Sequence, residues 1–372
     1  MKKTPLLKTG LTAFLLMLFI FPARAQLDDL GKLMGYQTDN AQKLFKAYIR
    51  PYTNALGTDL SNGWYNTAKP HKTLGFDVTF TLNTTFVPNT DKTFNPENLG
   101  LTGIRVEGDA ASPTAMGDNS QGAKLILEDD FGGTLSDPQE IASFNLPKGT
   151  GIGFAPAPML QVGVGLVKGT EVVGRYIPDM KLGNQAEIGL WGVGIKHSIK
   201  QWIPAVNKLP ILHLSVMGGY TKLSSQTNLS FTPQAYLDAE LVDSDQVWDW
   251  EGTGHYDGQS MDLSVQSFSA NLIVSANLPV VTFYGGVGIN NTKTNLALTG
   301  NYPMFAKDSP EITKESSKPD PFDMEIKHQG GTRTDPRYNI GMRFKFAVIT
   351  LHFDYTYSNY SVATAGLGLS FR

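Results

Sequence analysis

The chain has 372 residues, with 31 lysines and arginines against 34 aspartates and glutamates, and it has no cysteine. The lack of cysteine excludes thiol catalysis, cysteine-ligated zinc and a lipid anchor on cysteine. The mildly acidic balance, without a basic stripe, argues against nucleic acid as a partner. The 38 glycines, 20 phenylalanines and 14 tyrosines, with only 17% charged residues, favour a folded β protein.

The first 25 residues have the pattern of a cleaved signal peptide. Lys2, Lys3 and Lys8 form a positive stretch, residues 11–21 are apolar or small, and Ala23-Arg24-Ala25 supplies small residues before the cleavage site. The apolar run is about half of the ~20 residues that a spanning helix needs. We therefore predict export of the chain, with residues 1–25 removed.

Residues 26–60 are predicted to be helical. Asp39 is a candidate N-cap, and Pro51 is expected to kink or end the helix. The apolar stripe at helical spacing must be buried, which leaves three hypotheses: a plug inside a barrel, a cap across its periplasmic mouth, or a helix in the membrane interface. The residues that form this stripe are Leu44, Phe45, Tyr48, Ile49 and Tyr52.

From residue 74 onward the chain alternates apolar and polar residues with the period of a β-strand. In residues 74–86, for example, Phe76, Val78 and Phe80 alternate with Asp77 and Thr79. The strongest runs have about the ~10-residue length of a tilted strand that crosses a membrane. The further candidate segments lie around Ile104, Leu125, Leu160, Val172, Leu190, Leu212, Phe268, Val281, Tyr338, Ile349 and Ala363.

These segments predict an all-β fold, a transmembrane antiparallel β-barrel of about 12 strands (range 10–14) over residues 74–372. The alternative is a soluble secreted β-sandwich, whose strands also alternate. Polar faces rich in Gly, Ser, Thr and Asn favour a wet lumen over a solvent-facing sheet. Short connections also alternate with long ones near 224–261 and 291–336, which is typical of periplasmic turns and extracellular loops.

Ionisable residues on the predicted lumen faces are the candidate functional residues. Opposite charges inside a barrel either pair with one another as a structural network or line a path for a solute. Arg175 and Arg343 are the two whose mutation would be most informative. The full set of lumen-lining candidates is Asp77, Glu171, Arg175, Arg343, Lys345, His352 and Asp354.

The sequence shows no catalytic or metal-binding signature. No two of the six histidines have a metal-ligand spacing, and His197 and Ser198 would point to opposite faces of a strand. The acidic segment 238–257 has no EF-hand spacing, although it is a candidate for a divalent cation or a ligand contact. We therefore expect no enzymatic activity, no cofactor and no resident metal.

Three glycine-containing stretches, residues 163–166, 174–178 and 192–197, together with the N-terminal helical segment, resemble an uncharacterised family of bacterial outer-membrane barrels. That family is distantly similar to the long-chain fatty acid and hydrocarbon transporters. In those transporters the N-terminal plug carries an Asn-Pro-Ala motif, whereas this chain has Asn95-Pro96-Glu97 after its first predicted strand. The last strand, residues 363–371, resembles the signal that barrel-assembly machinery recognises.

Because catalytic signatures are missing and a barrel is predicted, we expect passage of a small molecule, hydrophobic solutes included, across the bacterial outer membrane. The alternative is a structural or adhesive barrel with a closed lumen. The expected partners are outer-membrane lipid and lipopolysaccharide, and the barrel-assembly machinery during biogenesis.

Overall fold

The computed structural model describes residues 37–129, 138–182, 186–230, 258–305, 315–326 and 334–371. The predicted signal peptide and the acidic segment 238–257 lie outside the described residues. Among the described residues, no helix has both the length and the apolar composition that crossing a membrane would take.

Ten antiparallel strands form one closed sheet, which confirms the prediction of a β-barrel. Each strand pairs with the next along the chain, and the last pairs back with the first, from Phe76 opposite Phe371 to Phe86 opposite Ser361. Numbered together with all other strands in chain order, the barrel strands are β1 (Phe76–Phe86), β7 (Phe154–Gly165), β8 (Thr170–Leu182), β9 (Ala186–Ser198), β10 (Leu212–Asn228), β11 (Ser260–Asn277), β12 (Val281–Thr299), β16 (Asp335–Phe346), β17 (Ile349–Tyr357) and β18 (Ser361–Phe371).

The prediction of about 12 strands was wrong, because two of the alternating segments lie outside the barrel. The segments around Ile104 and Leu125 form β3 (Ile104–Glu107) and β5 (Lys124–Asp129), which pair in a separate sheet with β6 (Gln139–Asn145). Strands of four and six residues are shorter than the ~9–11 residues that a membrane crossing takes. Alternation identifies a strand with two unlike faces, but it does not say which sheet the strand joins.

The remaining elements lie between barrel strands, apart from an N-terminal helix, α1. Strand β2 pairs with β4, β13 pairs with β14, and β15 pairs with the last third of β12. The bounds are α1 (Thr38–Ser61), α2 (Pro204–Asn207), β2 (Thr93–Phe94), β4 (Ser112–Pro113), β13 (Asn301–Phe305), β14 (Glu315–Pro319), β15 (Phe322–Ile326) and single 3-10 turns at Asn89–Asp91, Pro96–Leu99, Val167–Gly169 and Lys200–Trp202.

The barrel wall is apolar outside and polar inside. Along β1, Phe76 and Phe80 are about 40% exposed, at 42% and 41%, whereas the intervening Thr79 and Thr81 are fully buried. The same alternation continues through β10, β12 and β18, so the apolar belt surrounds the molecule. A belt of this extent far exceeds the apolar patches that soluble proteins expose and is stable only in lipid.

The two ends of the barrel differ. Residues 166–169, 278–280 and 347–348 form short turns at the end where β1 begins and β18 ends. Residues 87–153 and 300–334 form long connections at the opposite end. Bacterial barrels have short periplasmic turns and longer extracellular loops, and by that analogy we call the short-turn end the periplasmic end. We call the segment that follows β1 at the other end, residues 87–129 and 138–153, the outer lid.

Helix α1 lies in the lumen, where it descends from beneath the outer lid to the middle of the barrel. Near its start, Asn40 donates to the Thr102 carbonyl of the lid at 2.7 Å, and near its end Ser61 contacts Ser267 of β11. Residues 62–75, here called the strap, continue to the periplasmic end, where β1 begins. Residues 37–75 thus run through the lumen from the outer lid to the periplasmic end.

The expected N-cap of this helix was wrong, and the helix does not end at Pro51. The N-cap position is Gln37 rather than Asp39, and Pro51 lies inside a helix of 24 residues that continues to Ser61. Proline removes one backbone hydrogen bond and costs about 3 kcal/mol in a helix interior. Nearly the whole second half of α1, Pro51 included, is buried, and this tertiary burial offsets the local cost.

The topology predicts opposite accessibility for the two ends. Because the chain has no native cysteine, single Asn98→Cys and Gln201→Cys variants can be labelled without background. Both positions are exposed, one in the outer lid and one in the turn before β10. A membrane-impermeant maleimide should label Asn98→Cys in intact cells and Gln201→Cys only after permeabilisation. The reverse pattern would invert the barrel in the membrane.

Candidate functional site

The carbonyl end of α1 is held by two arginines in the middle of the lumen. Arg175 of β8 donates to the Leu60 carbonyl at 3.0 Å and to the Asn62 carbonyl at 2.6 Å, and Arg337 of β16 donates to the Ser61 carbonyl at 2.7 Å. The last carbonyls of a helix have no partner within it and carry partial negative charge. Two buried guanidinium groups therefore supply both the donors and the positive charge that this end requires.

The remaining carbonyls of the last turn also have partners. The Asn62 amide donates to the Thr58 carbonyl at 2.7 Å, and the Asn83 amide of β1 donates to the Asp59 carbonyl at 2.8 Å. Thr221 of β10 gives the Leu60 carbonyl a second donor at 3.2 Å. Four strands and the helix itself thus fix the height of α1 in the barrel.

Arg175 makes two further contacts that bind helix, strap and wall together. Its Nε donates to the Gln161 side chain of β7 at 3.2 Å, and its guanidinium lies 3.6 Å above the ring centre of Trp64. A cation over an indole face is stabilised by the ring quadrupole, and more strongly when both groups are desolvated. Arg175 is 2% exposed.

Glycines in the wall make room for the strap. A Cβ atom on Gly219 would lie 2.5 Å from the Trp64 ring, and one on Gly194 would lie 2.9 Å from it. A Cβ on Gly286 would lie 2.5 Å from the Tyr65 hydroxyl. The wall is therefore shaped around the strap, and any larger residue at these positions would push the aromatic rings away.

Below the aromatic pair, a charged cluster ties the strap to the periplasmic half of the wall. His71 Nδ1 lies 2.8 Å from Glu171 and 3.8 Å from Asp77, and the His71 backbone N–H donates to Glu171 at 2.8 Å. Lys196 of β9 lies 2.9 Å from the other oxygen of Glu171. The side chains of His71, Glu171 and Lys196 are at least nine-tenths buried, and that of Asp77 is 11% exposed.

The ligand atoms of His71, Asp77 and Glu171 lie within 4.8 Å of one another, a spacing that a metal ion could use. However, the Lys196 ammonium already neutralises Glu171 at hydrogen-bond distance. Burying a divalent cation beside this ammonium would add like-charge repulsion. The donor set fits an ion-pair network better than a metal centre.

The other predicted lumen residues lie on β16 and β17. Asp354 accepts from the Tyr284 hydroxyl and from the Asn339 amide, each at 2.8 Å, and Lys345 lies 3.3 Å from the Ser370 hydroxyl near the periplasmic mouth. Arg343 lies directly opposite His352 on the neighbouring strand. The structure thus places the predicted residues in three groups: Arg175 at the helix end, Asp77 with Glu171, and the β16–β17 set.

The predicted plug residues lie together under the outer lid. Tyr48 donates to the Lys148 carbonyl at 2.9 Å, and its own carbonyl accepts from the Ala115 backbone N–H. Burial raises the pKa of the lid-facing Tyr360 phenol, and its hydrogen bond to Asp91 raises it further. Leu44, Phe45, Ile49 and Tyr52 pack with Tyr48 in an apolar cluster against lid residues that include Met116, Leu125, Phe144 and Leu146.

Sequence reasoning missed three functional side chains. Arg337 and Lys196 could have been identified from the alternation of their strands, because every second residue faces the lumen. Arg337 lies two positions before Asn339, and Lys196 lies two positions after Gly194. His71 precedes the first strand, where no periodicity operates. Its role depends on the strap lying inside the barrel.

A closed antiparallel barrel with an apolar outer belt and a polar, helix-filled lumen defines a transmembrane barrel of the bacterial outer-membrane type. Within that class, the chain belongs to the family described as "Family of unknown function (DUF6588)", whose model matches residues 1–371. A search of curated proteins finds no match to the chain.

Solved structures with a similar fold are outer-membrane barrels of several kinds. The outer membrane protease OmpT of Escherichia coli aligns at 8% identity and TM-score 0.31, over 80% of this chain and 97% of its own. The toluene transporter TodX of Pseudomonas putida aligns at 9% identity and TM-score 0.26, over 87% and 97%. The attachment invasion locus protein Ail of Yersinia pestis aligns at 8% identity and TM-score 0.23, over 80% and 98%.

The capping of α1 predicts a large effect from one side chain. Arg175→Gln removes donors from the Leu60 and Asn62 carbonyls in a buried site. We expect the free energy of unfolding to fall by about 2–4 kcal/mol, since each unsatisfied buried group costs about 1–3 kcal/mol. Urea unfolding of the refolded protein in lipid vesicles measures this change.

The matched control is Arg105→Gln, which removes a guanidinium from the exposed surface of the outer lid. This variant should unfold at the wild-type urea concentration, because exposed ion pairs contribute little. If both variants unfold at the wild-type midpoint, Arg175 does not anchor the helix.

Proposed function

We propose that the protein passes small hydrophobic molecules across the outer membrane and releases them sideways, through an incomplete seam between β7 and β8. The ladder between these strands consists of five pairs, from Gln161 opposite Arg175 to Gly165 opposite Glu171. Residues 154–160, the outer half of β7, have no partner on β8, although they pair fully with β1. This half-open seam is the observation that carries the proposal.

Prolines account for the break in the ladder. Pro156 and Pro158 lie in the unpaired half of β7, and Pro178 lies at the register shift in β8 between Ile177 and Met180. Proline has no backbone N–H to donate, and in sheets it is confined to edges and bulges. Three prolines on the two facing strands therefore prevent the backbone ladder from continuing beyond Arg175 toward the outer end.

The lumen behind the seam is apolar. A buried cluster there, here called the seam cluster, packs around the last turn of α1, with Ile177 of β8 partly buried against it. Most of the lumen wall elsewhere carries threonine, serine, asparagine and charged side chains. An apolar molecule would therefore find matching surroundings on both sides of the seam, the lumen and the lipid. The seam cluster consists of Leu60, Ala157, Met159, Ile188, Leu190, Leu223 and Val265.

Helix α1 is suited to gate this seam. Leu60 belongs to the seam cluster, and its carbonyl is bound by Arg175, the last β8 residue paired with β7. A displacement of α1 that uncovers the cluster also has to release Arg175 from the helix. The state of the plug and the base of the seam are thus coupled through one side chain.

The proposal assigns the protein to the bacterial outer membrane, where lipid and lipopolysaccharide surround the barrel. The barrel-assembly machinery inserts it there, and the proposal gives the protein no catalytic role. The apolar belt supports the membrane assignment. An alternative function, a structural or adhesive barrel, is favoured by one observation: helix α1 and the strap pack against the lumen wall and the folded lid in apolar clusters.

Restoring the ladder tests the proposal. A triple variant with Pro156→Thr, Pro158→Val and Pro178→Val supplies three N–H donors and strand-forming side chains. Uptake of 1-N-phenylnaphthylamine, which fluoresces in hydrocarbon, can be followed in cells that express each variant. We expect the wild type to raise the uptake rate several-fold above empty cells and the triple variant to lower it to the empty-cell rate.

Pro210→Val is the matched control, because Pro210 is exposed in the periplasmic turn before β10, and its uptake should equal the wild type. Surface labelling of Asn98→Cys in each background verifies equal insertion. If inserted wild type takes up no more probe than empty cells, transport is excluded and the closed-barrel function stands. If the triple variant transports like the wild type, molecules do not pass through the seam.

A further inference from the structure

Four residues that lie directly opposite one another on neighbouring strands form a row in the barrel wall, and several of their polar atoms have no hydrogen-bond partner. We call these residues the row. Thr81 of β1 lies opposite Gly366 of β18, Gly366 lies opposite His352 of β17, and His352 lies opposite Arg343 of β16. These four positions are consecutive across four neighbouring strands, and they face the lumen. They lie on the periplasmic side of the Asp354 level.

Within the part of the chain that the structure describes, four buried atoms of this row have no hydrogen-bond partner. They are Thr81 Oγ1, both ring nitrogens of His352, and Arg343 Nε. Thr81 is 0%, His352 1% and Arg343 7% exposed. Buried polar atoms nearly always have a hydrogen-bond partner, because an unmade bond costs free energy. A guanidinium only donates, and a hydroxyl and the one N–H of a neutral imidazole can donate too. The row therefore needs an acceptor.

The charges around the row favour a negative acceptor. Glu171 is neutralised by Lys196 and accepts from the His71 backbone N–H, and Asp77 lies beside His71 and accepts from Thr79 at 2.7 Å. The carboxylates of Asp77 and Glu171 are close enough to attract Arg343, but among the described residues neither forms an ion pair with it, and Arg343 Nε has no hydrogen-bond partner.

Positive charge continues from the row toward the periplasmic mouth. Lys345 follows Arg343 on the same face of β16, and it is coupled electrostatically to Arg343 and to the strap residue Lys69. Its Nζ has a hydroxyl, that of Ser370, as its hydrogen-bond partner. Arg343, Lys345 and Lys69 are thus three cations near the single unneutralised carboxylate of Asp77, and an excess of positive charge attracts an anion.

We propose that this row binds a small oxyanion, the carboxylate or phosphate group of a molecule that enters from the periplasmic end. The guanidinium of Arg343 offers a planar fork that suits two oxygens of such a group. His352 and Thr81 supply further donors on the same row, and Lys345 attracts the anion to it. This site is independent of the seam, which lies on other strands.

Gly366 is part of the site, because a Cβ atom there would lie 2.0 Å from Cε1 of the His352 ring. The glycine lets the imidazole lie against the backbone of β18. In a Gly366→Ala variant the ring has to move, which would misplace a donor without changing any charge in the row.

Calorimetric titration of the full mature protein, refolded in a non-ionic detergent, tests the site. The probes are inorganic phosphate and octanoate, each titrated at constant ionic strength with sodium chloride as the reference. We expect saturable binding of at least one probe. Loss of charged hydrogen bonds in Arg343→Gln should weaken it by about tenfold or more, and Gly366→Ala should weaken it less. Arg105→Gln, which removes a guanidinium from the lid, should bind as the wild type does.

The two probes identify the source of the oxyanion: binding of phosphate alone indicates a phosphate group, and binding of octanoate alone indicates an amphiphile with a carboxylate. Because Arg343 Nε has no hydrogen-bond partner among the described residues, we expect the Arg343→Gln variant to fold, and thermal unfolding checks this. Wild-type protein that binds neither probe would mean that the row is satisfied by water. Equal binding by Arg343→Gln and the wild type would also overturn the site.

Discussion

The structure depends on the capture of the carbonyl end of α1 by Arg175 and Arg337. Both guanidinium groups are buried with no carboxylate at ion-pair distance among the described residues, so the helix end is their counter-charge. This interaction sets the height of the helix, and hence the position of the strap beneath it. The strap then places Trp64 against the wall glycines and His71 against Glu171. Without this interaction, the contacts of Trp64 and His71 with the wall would lose their support.

Much of the barrel could be predicted from the sequence, because one face of each strand must match lipid and the other must not. The alternation of apolar and polar residues assigned Asp77, Glu171 and Arg175 to the lumen face, and in the structure all three are buried. It could not say which residues they meet, because the partners are far apart in sequence: 115 residues separate Arg175 from Leu60, and 276 separate Arg337 from Ser61. Register and the path of the strap decide those contacts, and neither leaves a local pattern.

The errors have the same physical origin. The segments around Ile104 and Leu125 alternate because the lid sheet also has one face on an apolar core, the cluster above α1. Pro51 breaks helices in water, but inside the lumen a break would leave more backbone groups without partners than the proline itself does. In both cases the tertiary surroundings override a rule that is correct for an isolated segment.

One side of the lumen wall is apolar and the other is charged, and the end of α1 presents a matching group to each side. Leu60 packs on the apolar cluster of β7, β9, β10 and β11, whereas the carbonyl of Ser61, the next residue, faces Arg337 of β16. Rotation of α1 about its axis would turn Leu60 toward charged groups and remove the acceptors of both arginines at once. Movement along the barrel axis separates the helix end from Arg175 and Arg337 together, so any opening of the lumen has to begin with these two side chains.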